Sequence, residues 1–315
     1  MNAAYRQLYI LQLLLSDHVV RKQAVADHFE VTPRAIQRDL SQVKAFIADQ
    51  HLNYQLVYYR HRGGYQLEST QAGVSKAVIL ALVKIVLASR ALNRAELDKT
   101  IQGLMGLVTK PEQREILPII KNEVFHYQPV RHDKPLLNLI WDLSQFIITK
   151  TTIDIDYRNS HDHVETRTIL PQAVIFSEFY FYVVAYSSRY QANRFFRIDR
   201  IFGYRVTPAD ATITRTRAQR VEDGELRHYL HYMQPGQRLT IRFEFSGTIE
   251  AALDRFPTAT VVQKFSDGHV LIEAAAVDTG AKMWLLSQGP LVKVVSPTSL
   301  VDAIRHDLQA SLQQY

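Results

Sequence analysis

The chain has 315 residues, 47% of them hydrophobic and 22% charged, which is ordinary for a folded protein and long enough for two or three domains. Its formal net charge of +6 is compatible with a nucleic-acid partner but does not require one. There is no cysteine, which excludes disulfides, thiolate metal sites and cysteine nucleophiles.

The first segment, "MNAAYRQLYILQLLLSDHVVRK", has an apolar run broken by arginine and glutamine. It reads as an amphipathic helix with Leu8, Leu11 and Leu15 inward, and not as a signal peptide. No segment approaches the roughly 18 uninterrupted apolar residues of a membrane span, so a cytoplasmic protein without a membrane partner is expected. A second short helix fits "KQAVADHF", burying Ala24, Val25 and Phe29. A third follows in "TPRAIQRDLSQVKAFI", where Thr32 is a good N-cap and Pro33 a good first residue. Ile36, Leu40, Val43 and Ile47 recur at helical spacing as one buried stripe. Arg34, Gln37, Arg38, Ser41 and Lys44 lie on the other face.

Those polar types are the ones that meet phosphates and base edges: arginine pairs with guanine and glutamine with adenine. Two short helices, a turn and a third helix with a basic face form the helix-turn-helix pattern. Two alternating runs, Tyr54–Tyr59 and Tyr65–Leu67, flank "RHRGG", where the glycine pair suits a hairpin turn and Arg60 and Arg62 sit at the tip. Residues 1–70 hold eight Lys and Arg against six Asp and Glu, so the placement of these residues says more than their number. A winged helix used for protein contact would carry a similar polar face. The string "ADHFEVTPRAIQRDL…RGGYQL" resembles the winged helix-turn-helix of bacterial DeoR-like transcription factors, which implies double-stranded DNA as partner.

Residues 71–133 read as a helical linker. "SKAVILALVKIVLASRAL" is apolar around most of its circumference, which calls for burial on several sides by a partner subunit or by interdomain packing. "KPEQREILPIIKNEV" continues in helix, with Pro118 as a kink or break.

From Lys134 a helix, "PLLNLIWDLSQFIITK", leads into strands: "TTIDIDY" with Ile153, Ile155 and Tyr157 on one face, "VETRTILPQAVIF" with Pro171 at a bend or edge, "EFYFYVVAY", and "RFFRIDRIFGYRVT". Short antiparallel strands suggest a small barrel or strongly bent sheet. Strict alternation places Arg194, Phe196, Ile198 and Arg200 on one face of the last run, and Phe195, Arg197, Asp199 and Ile201 on the other. Asp199 can pair with Arg197 or with Arg189. Residue types leave two readings open: solvated arginines with buried stems, or an arginine-tyrosine surface that receives an anion.

Residues 134–207 resemble the WYL domain, a small Sm-like β-barrel found behind winged helices in bacterial regulators. Phe181-Tyr182-Val183 stands at the tripeptide that names the family, with only the tyrosine matching, and "NRFFRIDRI" matches the family's signature segment. The resemblance implies an effector that is anionic, nucleotide-like or an oligonucleotide. It implies contacts from Tyr182, Arg194, Arg197 and Arg200, with Arg189 in the preceding turn.

The last hundred residues read as β-α-β-β-α-β-α. "GTIEAALDRF" is a helix burying Ile249, Leu253 and Phe256, and Asp267-Gly268 marks a hairpin turn. The final helix carries Leu300, Ile304, Leu308 and Leu312 in one stripe. This order is ferredoxin-like and resembles the extension that follows WYL domains. The expected fold class is therefore α+β and multidomain. It comprises a winged helix-turn-helix over 1–70, a helical linker and dimerisation region over 71–133, a Sm-like barrel over 134–215, and a ferredoxin-like domain over 216–315.

His161, His163 and Glu165 in "HDHVE" form a thin metal candidate, and no P-loop, GxGxxG or GxSxG fingerprint is present. The reading is a homodimeric transcription regulator without enzymatic activity, metal or cofactor. Its alternatives are a repressor sensing a small phosphorylated metabolite and a nucleic-acid-processing enzyme that docks through the winged helix.

Overall fold

The computed structural model describes residues 2–16, 18–50, 52, 54–69, 74–159, 161–213 and 223–315. They divide into two compact units, Met1–Pro129 and Val130–Tyr315.

The first unit begins with three helices, α1 (Ala3–Leu15), α2 (Lys22–Phe29) and α3 (Pro33–Asp49). The Thr32 hydroxyl accepts from the Ala35 amide and caps α3, with Pro33 at its first position. Ile36, Leu40, Val43 and Ile47 are all buried, as their spacing predicts. The phase of α1 differs from expectation. Ile10 and Leu14 face the core while Leu8 and Leu15 are exposed, because a nearly continuous apolar run fits a helix in more than one rotation. On α2, Ala26 rather than Ala24 joins Val25 and Phe29 inside.

Strands β1 (Tyr54–Tyr59) and β2 (Gly64–Ser69) form an antiparallel hairpin in which Tyr59 is paired with Gly64. A 3-10 turn over Arg60–Arg62 closes it, and only Gly63 adopts the left-handed conformation, at φ 64°. Gly64 is needed for a different reason. A Cβ there would lie 2.6 Å from Val19 Cγ1 and 2.8 Å from the Val20 carbonyl oxygen. Its neighbour Tyr65 exchanges two backbone hydrogen bonds of 2.8 Å with Val20, so the hairpin docks directly on the segment before α2.

Three further helices complete the unit: α4 (Lys76–Ser89), α5 (Arg94–Met105) and α6 (Lys110–Phe125). The α6 helix runs unbroken through Pro118, so the proline does not end it. A capping box between Thr109 and Glu112 secures its start. On α4, Ile79, Val83 and Leu87 are buried against α5 and α6, whereas Val78, Leu82 and Ile85 stay exposed.

The second unit opens with α7 (Leu137–Thr149) and five strands: β3 (Ile153–Arg158), β4 (Val164–Ser177), β5 (Tyr180–Ser187), β6 (Ala192–Arg197) and β7 (Ile201–Val206). All pairings are antiparallel, in the order β6-β5-β4-β3-β7. Both edge strands are consecutive in the chain, joined by a 3-10 turn over Ile198–Arg200, and are not hydrogen-bonded to each other. The sheet is thus curled without a closed ladder, with register shifts at Asp156/Tyr157 and Pro171/Ala173. Pro171 therefore lies at a bulge within a central strand. One face of the sheet meets α7 in a core of Leu143, Ile153, Ile155, Ile169, Val183, Phe196 and Ile198.

The C-terminal elements are α8 (Asp223–Tyr229), β8 (Arg238–Phe245), α9 (Ile249–Arg255), β9 (Thr260–Lys264), β10 (Val270–Val277), α10 (Asp278–Ser287), β11 (Val292–Ser296) and α11 (Thr298–Leu312). The antiparallel sheet order β11-β8-β10-β9 interleaves two βαβ units. Phe243, Phe245, Phe256 and Trp284 pack their rings together in its core. Ala252 on α9 and Phe256 at its C-terminal cap are buried. The expected stripe on α11 is only half used: Leu300 is buried and Ile304 packs beside it, but Leu308 and Leu312 are exposed.

Candidate functional site

In the first unit the α3 helix carries the candidate contacts. At 100° per residue, Arg34, Arg38 and Ser41 fall on the side away from Ile36, Val43 and Ile47, with Gln37 and Lys44 on the flank between the two faces. Arg34, Arg38 and Lys44 are exposed and make no hydrogen bond or ion pair to any described residue. Ser41 is exposed, with its hydroxyl turned back onto the Gln37 carbonyl at 2.9 Å. Gln37 itself is half-buried. Its side-chain oxygen accepts from Lys22 Nζ at 3.1 Å and from the Tyr65 hydroxyl at 3.2 Å. Reading adenine needs that oxygen free, so its geometry is that of a brace joining α2, α3 and the hairpin. Asp39, only 3% exposed, accepts from Arg6 Nε at 2.9 Å and Gln7 Nε2 at 3.1 Å and ties α3 to α1.

At the hairpin tip Arg60 is exposed and without a partner among the described residues, whereas Arg62 is partly engaged. Its guanidinium donates to Gln66 Oε1 at 2.8 Å and stands 5.6 Å from the Tyr59 ring centroid.

In the second unit the arginines expected to form one surface fall into three places. The alternation expected through Arg200 ends at Arg197, because Ile198–Arg200 forms a 3-10 turn that buries Ile198 and Asp199 together. Arg197 clamps Asp199 with two hydrogen bonds, of 3.0 and 2.8 Å, and lies 3.4 Å from the Tyr180 ring centroid. Burial acts to lower the pKa of this guanidinium, but the hydrogen bonds and charge of Asp199 carry it above the ordinary arginine value. Arg197 is thus the residue that braces Asp199, and Arg189 is not its partner. Tyr182 is register partner to Arg197 and half-buried, and burial raises its phenol pKa.

Arg200 instead lines a cleft of about 320 Å³ with His132, Lys134, Arg158, Asn159, Asp162, Asp199 and Phe202. Lys134 Nζ lies 3.4 Å and the Arg158 guanidinium carbon 4.4 Å from the Phe202 ring centroid, and the ring is 49% exposed. The Lys134 ammonium has no acceptor among the described residues, and burial lowers its pKa. His132 Nδ1 accepts the Lys134 amide at 3.0 Å, so a neutral ring carries its proton on Nε2. That nitrogen is buried and meets no acceptor among the described residues. Burial also lowers the His132 pKa, favouring the neutral ring. Arg158 is held by Asp162 at 3.3 Å. The cleft therefore concentrates donors and positive charge around an exposed aromatic face, the chemistry that receives an anion joined to a planar group.

Arg189 and Arg194 belong to a different cluster, around Tyr190, together with Arg167. Glu165, the acid of the thin metal candidate, is engaged here by Arg167 and by Arg189 at 2.7 Å. Arg167, His132, Lys134, Arg158 and Phe202 were not singled out from the sequence. For Arg167 the signal was there, since it stands in phase with Ile169 on a core-facing row. The others come from separate segments that only the fold brings together.

These are the features of a curled five-stranded antiparallel sheet domain followed by an α+β extension. Residues 139–206 match the family model of the WYL domain, and residues 235–312 match that of the WCX domain. Comparison with curated proteins gives no match. Among solved structures, the chain is similar to proteasome accessory factor B/C of Arthrobacter aurescens at 18% identity and a TM-score of 0.30, covering 98% of this chain and 48% of that one. It thus spans about half the length of that protein. A CRISPR Cas-related protein matches at 10% identity and a TM-score of 0.37, covering 78% of this chain and 75% of that one. Scores at this level carry no functional argument.

Proposed function

We propose that the chain is a homodimeric DNA-binding transcription regulator of the DeoR-like type, not an enzyme, with residues 1–70 as a winged helix-turn-helix. Arg34 and Arg38 on α3 meet base edges or phosphates in the major groove, with Ser41 beside them. Lys44, Arg60 and Arg62 meet the backbone. The observation that carries this reading is the exposed Arg34–Arg38 pair, without a partner among the described residues, on the side of α3 opposite its buried stripe. Residues 71–133 link and dimerise, the Sm-like WYL barrel over 134–215 senses, and a ferredoxin-like domain over 216–315 follows. Support for the dimer comes from Val78, Leu82 and Ile85, an exposed apolar row at i, i+4 and i+7 on α4. The WYL domain takes an anionic or nucleotide-like effector in the Phe202 cleft, through Lys134, Arg158, Arg200 and His132, with Tyr182 and Arg197 shaping the adjoining face.

Selection of bound sequences from random duplex DNA with the purified protein tests the reading. A palindrome with two half-sites about one helical turn apart is expected. No enrichment would overturn it. An Ile85→Lys substitution is expected to shift the sedimenting species toward monomer.

A further inference from the structure

The cluster around Tyr190 lies on the core-facing side of the sheet, toward one end. Register puts Ile169 opposite Ser187 and Ser187 opposite Ala192, with Arg194 opposite Ala185. Arg167 is two residues from Ile169, so Arg167, Ser187 and Arg194 occupy neighbouring strands on one face, with Ser187 diagonal to both arginines. Arg167 is 9% exposed and Ser187 0%. The Arg167 guanidinium donates to the Tyr190 hydroxyl at 2.7 Å, and the Arg194 guanidinium carbon is 4.7 Å from the Tyr190 ring centroid.

Three buried polar atoms here have no partner among the described residues: Arg167 Nε, Arg194 Nε and Ser187 Oγ. Both nitrogens are obligatory donors, and the serine can donate. Leaving buried donors unmade is costly, so each calls for an acceptor. Among the described ion pairs, Arg167 and Arg189 share one carboxylate, Glu165, and Arg194 has none. Water can fill hydrogen bonds but cannot neutralise this excess of positive charge, whereas an oxyanion does both.

We propose that this end of the sheet is a second anion site, distinct from the Phe202 cleft, in which a phosphate-type oxyanion accepts from Arg167, Arg194 and Ser187 beside Tyr190. It stands whether or not the Phe202 cleft takes an effector. The phosphate is either free or the terminal group of an organic ester, and both present the same oxygens.

The test is titration of the whole protein, labelled with nitrogen-15 in arginine, with inorganic phosphate against sodium chloride of equal ionic strength and pH. Saturable shifts of two arginine Nε–H resonances and a rise of the thermal midpoint beyond that in chloride are expected. Arg194→Met should weaken the apparent affinity about tenfold and Ser187→Ala less, since a charge-assisted contact is stronger than a hydroxyl's. Lys134→Met, in the other cleft, should leave phosphate binding unchanged, which separates this site from the effector reading. A nucleoside 5′-monophosphate is run in parallel. Tighter binding than phosphate assigns an esterified ligand, and equal or weaker binding assigns the free anion; either supports the site. Arg167→Met tests the innermost donor, but Arg194→Met and Ser187→Ala decide the matter if that variant fails to fold. The proposal is overturned if phosphate does no more than chloride, or if its effect persists in Arg194→Met.

Discussion

The cations of α3 and those of the curled sheet have the same chemistry in opposite settings. Arg34, Arg38 and Lys44 are exposed and have no partner among the described residues, while Arg197 and Arg167 are largely buried and committed to carboxylates. An exposed cation contributes little to folding and is available to a large polyanion that brings its own solvent boundary. A buried one must be neutralised, by a protein acid or by a small ligand, or the fold weakens. The two regions should therefore respond to mutation in different currencies, stability in one and affinity in the other.

Asp199→Ala attacks the contrast hardest. It leaves the Arg197 guanidinium uncompensated, and a loss of about 3 kcal/mol in unfolding free energy is expected by urea denaturation. A loss near zero would place Arg197 with the exposed cations. On α3, Arg34→Ala and Arg38→Ala should each weaken selected operator DNA by about 1–3 kcal/mol in a binding titration. Their unfolding free energy should stay within about 0.5 kcal/mol of the parent. Lys44→Ala and Arg60→Ala should act more weakly and uniformly across sequences, each lowering the slope of log affinity against log salt by about 1.

The smallest effect is one of pH. Burial lowers the pKa of His132 and His231 below the ordinary histidine value of 6.5. The unfolded chain then binds protons first, so their share of stability is complete above pH 6.5 and declines as pH falls below it. His132→Asn should flatten part of that decline in thermal midpoints measured from pH 7.5 to 5.

Legibility in the sequence followed the same divide. The α3 stripe was plain because Ile36, Leu40, Val43 and Ile47 alternate with charged residues that allow one phase only. The α1 phase was not, since "LYILQLLL" satisfies several. In the sheet, Ile153, Ile155 and Tyr157 were legible from strict alternation, and all three are buried. The partition of the arginines was hidden because alternation is a rule for strands, and the 3-10 turn at Ile198–Arg200 suspends it between two of them. The Phe202 cleft draws on residues 132 to 202, and no local pattern announces a meeting of such distant positions.

If α3 and the hairpin meet DNA as proposed, the Gln37 brace has a consequence for that partner. By holding Lys22 and Tyr65 on one oxygen, it locks α3 and the hairpin into a gauge of set width. A duplex that is to touch both at once must adjust its own groove to that gauge, so the flexibility of the operator, at base pairs no side chain reaches, becomes part of what is selected.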